Sequence, residues 1–121
     1  MDARYVFAVT FRLSPTADVS LEPSAFETRL SRPADDPGET GWRFFRDNLW
    51  RGDLADRDHF RSLTEDALGV TVLDVEYRAF VTDQEYLAAL RDAVADDLEA
   101  FKDDSVAAVL SKYFGSSIEV R

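Results

Sequence analysis

The chain has 121 residues, a formal net charge of −10 at pH 7, 45% apolar residues and no cysteine, so disulfides, thiol catalysis and thiolate metal sites are excluded. One hydrophobic core fits this length, no stretch approaches the roughly 20 apolar residues of a membrane span, and no signal peptide opens the chain. We therefore expect one cytoplasmic domain over residues 1–121, with no membrane partner.

The first half of the chain predicts strands joined by loops and turns. Between residues 4 and 13, large apolar side chains recur at every second position, which is the period of a half-buried strand. Two prolines and the lack of a helical stripe indicate a loop over residues 14–24. A second strand is expected at about 25–32, and residues 33–41, P-A-D-D-P-G-E-T-G, carry the strongest turn signal of the sequence.

Residues 42–51, W-R-F-F-R-D-N-L-W-R, hold both tryptophans and are called the Trp42–Arg51 segment below. As a strand, this segment places Trp42, Phe44 and Trp50 on one face. As a helix, it gathers its apolar side chains into one stripe: Trp42, Phe45, Leu49 and Trp50. The aromatic content and the preceding turn favour the strand.

Sharper signals follow Gly52. Asp56 is the expected N-cap of a helix that ends at Gly69. The core-facing side chains of this helix are expected to be Phe60, Leu63, Ala67 and Leu68. Residues 70–81 alternate as a strand, whose inward side chains are expected to be Leu73, Val75, Tyr77, Ala79 and Val81.

Two more helices complete the prediction. Thr82 and Glu85 form a capping box that starts a long helix. Asp104 is expected to cap a last short helix that Gly115 ends, and residues 118–120 return as a short edge strand. The order β-β-β-α-β-α-α predicts an α+β domain: a mainly antiparallel sheet of about four strands, with three helices packed on one face.

The acidic composition fits a protein that works in concentrated salt. The chain has sixteen Asp and eight Glu residues against twelve Arg and only two Lys. In molar salt, electrostatic screening acts within a few ångströms, and short, strongly hydrated carboxylates maintain solubility. The net charge therefore reflects the solvent, and it argues neither for nor against a polyanionic partner such as nucleic acid.

Two short motifs suggest a family. Leu49-Trp50-Arg51, within F-F-R-D-N-L-W-R-G, resembles the signature of the LWR-salt family, small proteins of salt-loving archaea named for that tripeptide. The C-terminal S-K-Y-F-G-S-S-I, residues 111–118, is similar to the ending of that family, and the likeness spans nearly the whole chain. Because the family has no established activity, the resemblance implies a halophilic setting and nothing about chemistry.

Outside the Trp42–Arg51 segment, no catalytic motif stands out. His59 is the single histidine, and with Asp53 and Asp56 it could form a loose metal site or an acid–base pair. Acidic residues favoured at a helix N-terminus explain the same grouping. The acidic residues of 92–104 lack EF-hand spacing, and the glycines build neither G-x-G-x-x-G nor a P-loop. We therefore predict no catalytic residue, no metal site and no cofactor.

The Trp42–Arg51 segment is the candidate binding site. Its expected binding residues are Arg51, Trp50, Arg46, Arg43 and Phe44. The arginines would engage a carboxylate or phosphate, while the rings would stack on a planar group. In the alternative, the rings are buried in a core strand and the arginines pair with nearby aspartates. Because strand neighbours face opposite ways, burial of Trp50 would hold Arg51 on the opposite side.

Three classes of function remain open. A non-catalytic interaction protein, which self-associates or binds a protein partner through the Trp42–Arg51 segment, is favoured because one small sheet cannot bury aromatic groups on both faces of the segment. The first alternative is a binding module for a small anionic ligand or single-stranded RNA, although the RNP consensus is not present. The second is a small enzyme that uses His59 or an aspartate as its base.

Overall fold

The computed structural model describes residues 1–15 and 18–121. Residues 16 and 17 belong to the predicted 14–24 loop, so that part of the prediction lies outside the described residues. The elements in chain order are β1 (Ala3–Arg12), β2 (Ala25–Pro33), α1 (Phe44–Asn48), β3 (Leu49–Trp50), β4 (Asp53–Leu54), α2 (Arg57–Leu68), β5 (Thr71–Thr82), α3 (Gln84–Ala95), α4 (Leu98–Phe101), α5 (Val106–Phe114) and β6 (Ile118–Val120).

The main sheet contains four strands in the order β2-β1-β5-β6. β1 lies antiparallel to both β2 and β5, and β6 runs parallel to the end of β5. Strands β3 and β4 form a separate two-stranded hairpin. The predicted α+β class, the mainly antiparallel pairing and the short edge strand at residues 118–120 are confirmed.

Two irregularities in β5 change which of its side chains face the core. The register between β1 and β5 shifts at Val6/Phe7 and again at Thr10/Phe11, and an extra residue at each point reverses the alternation of β5. The inward side chains are consequently Val72, Val75, Tyr77 and Phe80.

Three of the predicted inward positions of β5 are therefore wrong. Leu73 is 39% exposed. Ala79 and Val81 pair with Val6 and Arg4 on the opposite face of the sheet. A strict period of two cannot reveal a bulge, because a bulge is set by the pairing of two strands and not by either sequence alone.

Helix α2 begins and ends as predicted but presents a different face. The Asp56 carboxylate accepts the backbone N–H of His59 at 3.1 Å, and Gly69 ends the helix with a left-handed φ of 70°. Only Phe60 and Thr64 are buried, and the Thr64 hydroxyl donates to the Phe60 carbonyl at 2.8 Å. The predicted core positions Leu63, Ala67 and Leu68 are exposed.

Helix α3 starts one residue later than predicted. Thr82 pairs with Val120 at the end of β5, so the chain can enter a helix only after it. The carboxylate of Asp83 accepts the backbone N–H of Tyr86 at 2.7 Å and is the N-cap. The predicted capping box of Thr82 and Glu85 is therefore wrong.

The predicted long helix is divided at Asp96 and Asp97 into α3 and α4. Lys102 adopts a left-handed φ of 54° and ends α4. The chain turns at Lys102, and the next helix, α5, begins after Ser105. The Ser105 hydroxyl accepts the backbone N–H of Ala108 at 3.1 Å. Ser105, and not the predicted Asp104, is the cap of α5.

The core lies between the inner face of the sheet and the helices. Aromatic side chains form its centre, and Phe45 connects them: its ring stacks on Phe101 at 5.6 Å between centroids and packs on Phe114 at 4.9 Å. Tyr5 and Phe80 extend the same cluster across β1 and β5, with their centroids 4.9 Å apart. Part of the Trp42–Arg51 segment therefore belongs to the core.

Candidate functional site

The Trp42–Arg51 segment is mostly not a strand. Residues 44–48 form helix α1, and only Leu49 and Trp50 form a strand, β3. The helical alternative is correct for the buried side chains, since Trp42, Phe45 and Leu49 are buried on one side at helical spacing. The strand prediction is wrong because these three large side chains all pack into the space above the sheet. A helical turn can direct them to one side, whereas a strand would direct neighbouring side chains to opposite faces.

A tight turn follows, and it determines the shape of the site. Arg51 and Gly52 both have positive φ angles, of 53° and 83°, and they connect the antiparallel strands β3 and β4. A two-residue hairpin with two positive φ angles is a type I′ turn, whose twist matches that of its strands. Residues 49–54 are called the Trp50 hairpin below. Gly52 suits the second position of this turn, but Arg51 is not one of the residues that usually mark the first position.

The Trp50 hairpin is fixed to the end of helix α5 by its backbone. The N–H of Arg51 donates to the Lys112 carbonyl at 2.7 Å, and the N–H of Gly52 donates to the Tyr113 carbonyl at 2.9 Å. The last carbonyls of a helix have no partner within it, so these two bonds complete the end of α5. The L-W-R-G motif and the C-terminal Y-F-G motif are therefore one structural unit.

Trp50 is the exposed tryptophan of the chain. Its side chain is 48% exposed, whereas Trp42 is 7% exposed. The Trp50 ring meets Tyr113 edge-on at 6.2 Å, and the Arg51 guanidinium lies 5.6 Å from the centroid of the Trp50 ring. The expected burial of Trp50, with Arg51 on the opposite face, is therefore wrong. The positive φ of Arg51 turns its side chain back towards the indole.

A cleft of about 600 Å³, called the Trp50 cleft, opens beside these residues. It is lined by Arg46, Leu49, Trp50, Arg51, Asp53, Leu54, Ala55 and Tyr113. Two arginines face one aspartate there, in a chain of net charge −10. Among the described residues, Arg51 forms no ion pair with a carboxylate. The cleft thus combines a positive charge available for binding with an exposed indole.

Arg43 and Arg46 are engaged within the chain. Arg43 forms an ion pair with Asp97, and the Arg46 Nε donates to Asp47 at 3.2 Å. Both arginines line a larger cavity of about 980 Å³ between α1, the 37–41 turn and α3. Its charged side chains are the bases Arg32, Arg43 and Arg46 and the acids Glu39, Asp47, Asp92, Asp96 and Asp97. The excess of acids makes this cavity unsuitable for an anion.

Phe44 does not offer a free ring for stacking. The Arg32 guanidinium lies 4.4 Å from the centroid of the Phe44 ring, and Tyr5 packs on the same ring at 4.7 Å. The structure thus brings together Trp50, Arg51 and Arg46 of the predicted binding residues. It places Arg43 and Phe44 in a different environment, on the side of α1 that meets β2 and α3.

His59 is exposed in the first turn of α2, and its backbone N–H is bonded to the cap residue Asp56. Within residues 1–15 and 18–121, no three His, Asp or Glu side chains are grouped closely enough to hold a metal ion. Asp53, Asp56 and His59 are near one another in the sequence because the connection between β4 and α2 is short. In the same part of the chain, no helix has the length and apolar character that a membrane crossing requires.

Comparison with known proteins identifies one family. A family model described as LWR-salt protein matches residues 1–121, which is the whole length of the chain. No curated protein matches the chain, and no solved structure matches it.

Proposed function

The chain belongs to the LWR-salt protein family, and we propose that it is a non-catalytic interaction protein that binds a carboxylate-bearing segment of a protein partner in the Trp50 cleft. The observation that carries this proposal is the 48% exposure of Trp50 on a hairpin that is fixed by its backbone. We further infer from the composition that the interaction takes place in the cytoplasm at high salt.

The rigidity of the Trp50 hairpin supports a binding role. Tryptophan and arginine are enriched among the residues that dominate protein–protein binding energies. The two hydrogen bonds to the end of α5, at 2.7 and 2.9 Å, order the backbone of Arg51 and Gly52 before any partner arrives. Binding therefore costs less conformational entropy than it would on a mobile loop.

The charge of the Trp50 cleft supports a carboxylate as the group that is recognised. Arg51 is exposed and without an ion pair among the described residues, and its planar guanidinium can donate two parallel hydrogen bonds to a carboxylate. A protein segment is favoured over a nucleic acid because the Arg51 guanidinium already lies over the Trp50 ring, 5.6 Å from its centroid. Less of its face is free for a base to stack on.

The test compares partner capture by matched variants. We expect Trp50→Ala to reduce capture from a lysate of the source cells about thirtyfold at about 2 M KCl, since a central tryptophan contributes roughly 2 kcal/mol or more. Arg51→Lys should weaken capture without unfolding the chain, because lysine lacks the planar fork. Leu68→Ala is the control, since Leu68 is 40% exposed but lies on α2, outside the Trp50 cleft.

A fluorescence measurement locates the contact. Acrylamide should quench Trp50 but not Trp42, which is 7% exposed, and the captured partner should protect Trp50 from quenching. Equal capture by the parent chain and Trp50→Ala would contradict the proposal. Titration with phosphate or with a single-stranded oligonucleotide tests the anion-binding alternative, and saturable binding that Arg51→Lys abolishes would favour that alternative.

A further inference from the structure

The free edge of β2 carries a pattern that is complementary to itself, and we propose that two copies of this chain pair antiparallel through β2 to form one continuous eight-stranded sheet. β2 is the terminal strand of the main sheet. It has nine residues, all of them exposed or half-buried. This surface is distinct from the Trp50 cleft, so the proposal stands independently of the proposed function.

The backbone N–H and C=O groups of β2 point alternately towards β1 and towards the free edge. The Ser24 carbonyl accepts the backbone N–H of Leu13, and the backbone N–H of Ala34 donates to the Ala3 carbonyl. The even-numbered residues of β2 therefore direct their N–H and C=O groups towards β1. In an antiparallel ladder the intervening residues direct theirs the other way. The outward donors are therefore the N–H groups of Ala25, Glu27, Arg29 and Ser31.

Proline brackets this row of donors on both sides. Pro23 and Pro33 have no N–H, and they lie at equal distances along the chain from Thr28. A two-fold axis at Thr28 would therefore place the four outward N–H groups of each copy opposite four carbonyl groups of the other copy. No outward N–H group would be left unpaired at the ends of the strands. Each residue of one copy then pairs with the residue of the other copy that lies equally far from Thr28 on its opposite side.

On the outer face of the sheet, the charges of the side chains determine the register of this pairing. With the axis at Thr28, Glu27 lies opposite Arg29 of the second copy, and the reverse pair forms by symmetry. Opposite charges directly across an antiparallel pair stabilise it, and like charges destabilise it. Moving the axis by one residue places Arg29 opposite Arg29 or Glu27 opposite Glu27.

Both charged side chains are available for this pairing. Glu27 and Arg29 are exposed, and neither forms an ion pair among the described residues of its own chain. Isolated charges on an edge strand normally oppose edge-to-edge pairing. Here their spacing of two residues, on either side of Thr28, makes one register of self-pairing favourable.

On the inner face of the sheet, apolar side chains of the two copies would meet. The same register places Phe26 of one copy beside Leu30 of the other, on the side of the sheet that carries the helices. Next to Leu30, a groove of about 430 Å³ lies between β2 and α2, with Phe44 in its wall and the 48% exposed Leu63 at its rim. Phe26 of the second copy would cover apolar surface near this groove that a single copy leaves exposed.

A cysteine cross-link tests the axis directly. Thr28 lies opposite Thr28 of the second copy in a non-hydrogen-bonded pair, where Cα atoms are about 4.5 Å apart, within the range for a disulfide. The chain has no cysteine, so Thr28→Cys should form a covalent dimer upon mild oxidation. Ser31→Cys is the matched control, because its copies would lie about 20 Å apart along the strands.

Charge reversal tests the register. Glu27→Arg and Arg29→Glu each create two like-charge pairs, and each should weaken dimerisation about tenfold or more in sedimentation equilibrium, measured at the lowest KCl concentration that keeps the chain folded. The double variant restores opposite charges and should recover the parent affinity. Arg91→Glu, on the exposed face of α3, changes the net charge by the same amount as Arg29→Glu and is the control for that variant.

Two results would overturn the proposal. One is a parent chain that stays monomeric up to about 1 mM, together with a Thr28→Cys variant that cross-links no faster than Ser31→Cys. The other is a double charge variant that dimerises no better than the single variants. Trp50→Ala should leave the cross-link unchanged, so a failure of the proposed function and a failure of this dimer give different results.

Discussion

At the scale of single residues, two glycines hold the Trp50 hairpin against helix α5. A Cβ atom on Gly52 would lie 2.9 Å from the Phe114 carbonyl oxygen, and one on Gly115 would lie 2.9 Å from the Arg51 carbonyl oxygen. Both positions have positive φ. The close approach of these two backbones explains why glycine follows both the L-W-R and the K-Y-F motifs.

Replacing Gly52 should therefore cost more than replacing another glycine with a similar φ. We expect Gly52→Ala to lower the free energy of unfolding by about 3 kcal/mol, because left-handed strain of about 1–2 kcal/mol adds to a backbone contact that cannot relax. Gly69→Ala, with a φ of 70° and no atom within 4 Å of its Cβ, should cost only about 1 kcal/mol. Denaturant titrations of both variants in high salt measure the difference, and equal losses would show that the close approach is unimportant.

The two tryptophans should respond differently to truncation. Trp42→Ala removes a side chain that is 7% exposed and should cost about 3–5 kcal/mol. Trp50→Ala removes one that is 48% exposed and should cost about 1–2 kcal/mol, mainly through its contact with Tyr113. Thermal melts check this order, and a larger loss for Trp50 would mean that it serves the fold more than binding.

At the scale of elements, the sheet and α3 carry phenol groups inside the core. Burial raises the pKa of Tyr5 on β1, of Tyr77 on β5 and of Tyr86 on α3. The Tyr86 hydroxyl donates to the Asp35 carbonyl at 2.6 Å, and the Tyr77 hydroxyl is 2.7 Å from the Ser117 hydroxyl. Neutral phenols thus connect strands and helix to the loops around them.

These tyrosines predict alkaline unfolding. Because the pKa of each phenol is higher in the folded chain than its usual value near 10, the folded state binds more protons above that pH. Stability should be complete below about pH 10 and fall as pH rises further. Unfolding free energies measured from pH 8 to 11 check this, and Tyr5→Phe should show a shallower decline. Equal unfolding free energies of the parent chain at pH 8 and at pH 11 would contradict the raised pKa values of these tyrosines.

At the scale of the whole molecule, repulsion between carboxylates opposes folding. The chain has 24 acidic and 14 basic residues, and residues 82–104 concentrate eight acids against two bases around α3 and α4. Of the ten ion pairs among the described residues, four join two side chains that are each at least 39% exposed, and such pairs contribute little to stability. Salt should therefore contribute a large part of the stability.

The chain should consequently require salt. We expect the melting temperature to rise steeply with KCl from low salt up to about 2 M, well beyond the concentration at which simple screening saturates. Melts followed by circular dichroism across that range provide the measurement, with a neutral osmolyte as the control for water activity. Equal melting temperatures in low salt and at about 2 M would contradict a halophilic adaptation.

The sequence by itself determined the α+β class, strands β1 and β2, the cap and end of α2, the edge strand at residues 118–120 and the family. Each of these depends on local signals: alternation, a capping carboxylate, a glycine after a helix, or a short motif. The Trp50 cleft lies partly within the segment that these signals single out, because Trp50 and Arg51 are neighbours in the sequence.

The tertiary structure alone decided which residues face the core and which form the site. Two bulges reversed the alternation of β5, since register depends on the partner strand. Helix α1 formed where aromatic residues favoured a strand, because Trp42, Phe45 and Leu49 fill one space above the sheet. The exposure of Trp50 follows from the contact between its hairpin and the end of α5, more than sixty residues further along the chain. Interactions between distant segments set these features, and a local pattern carries no information about them.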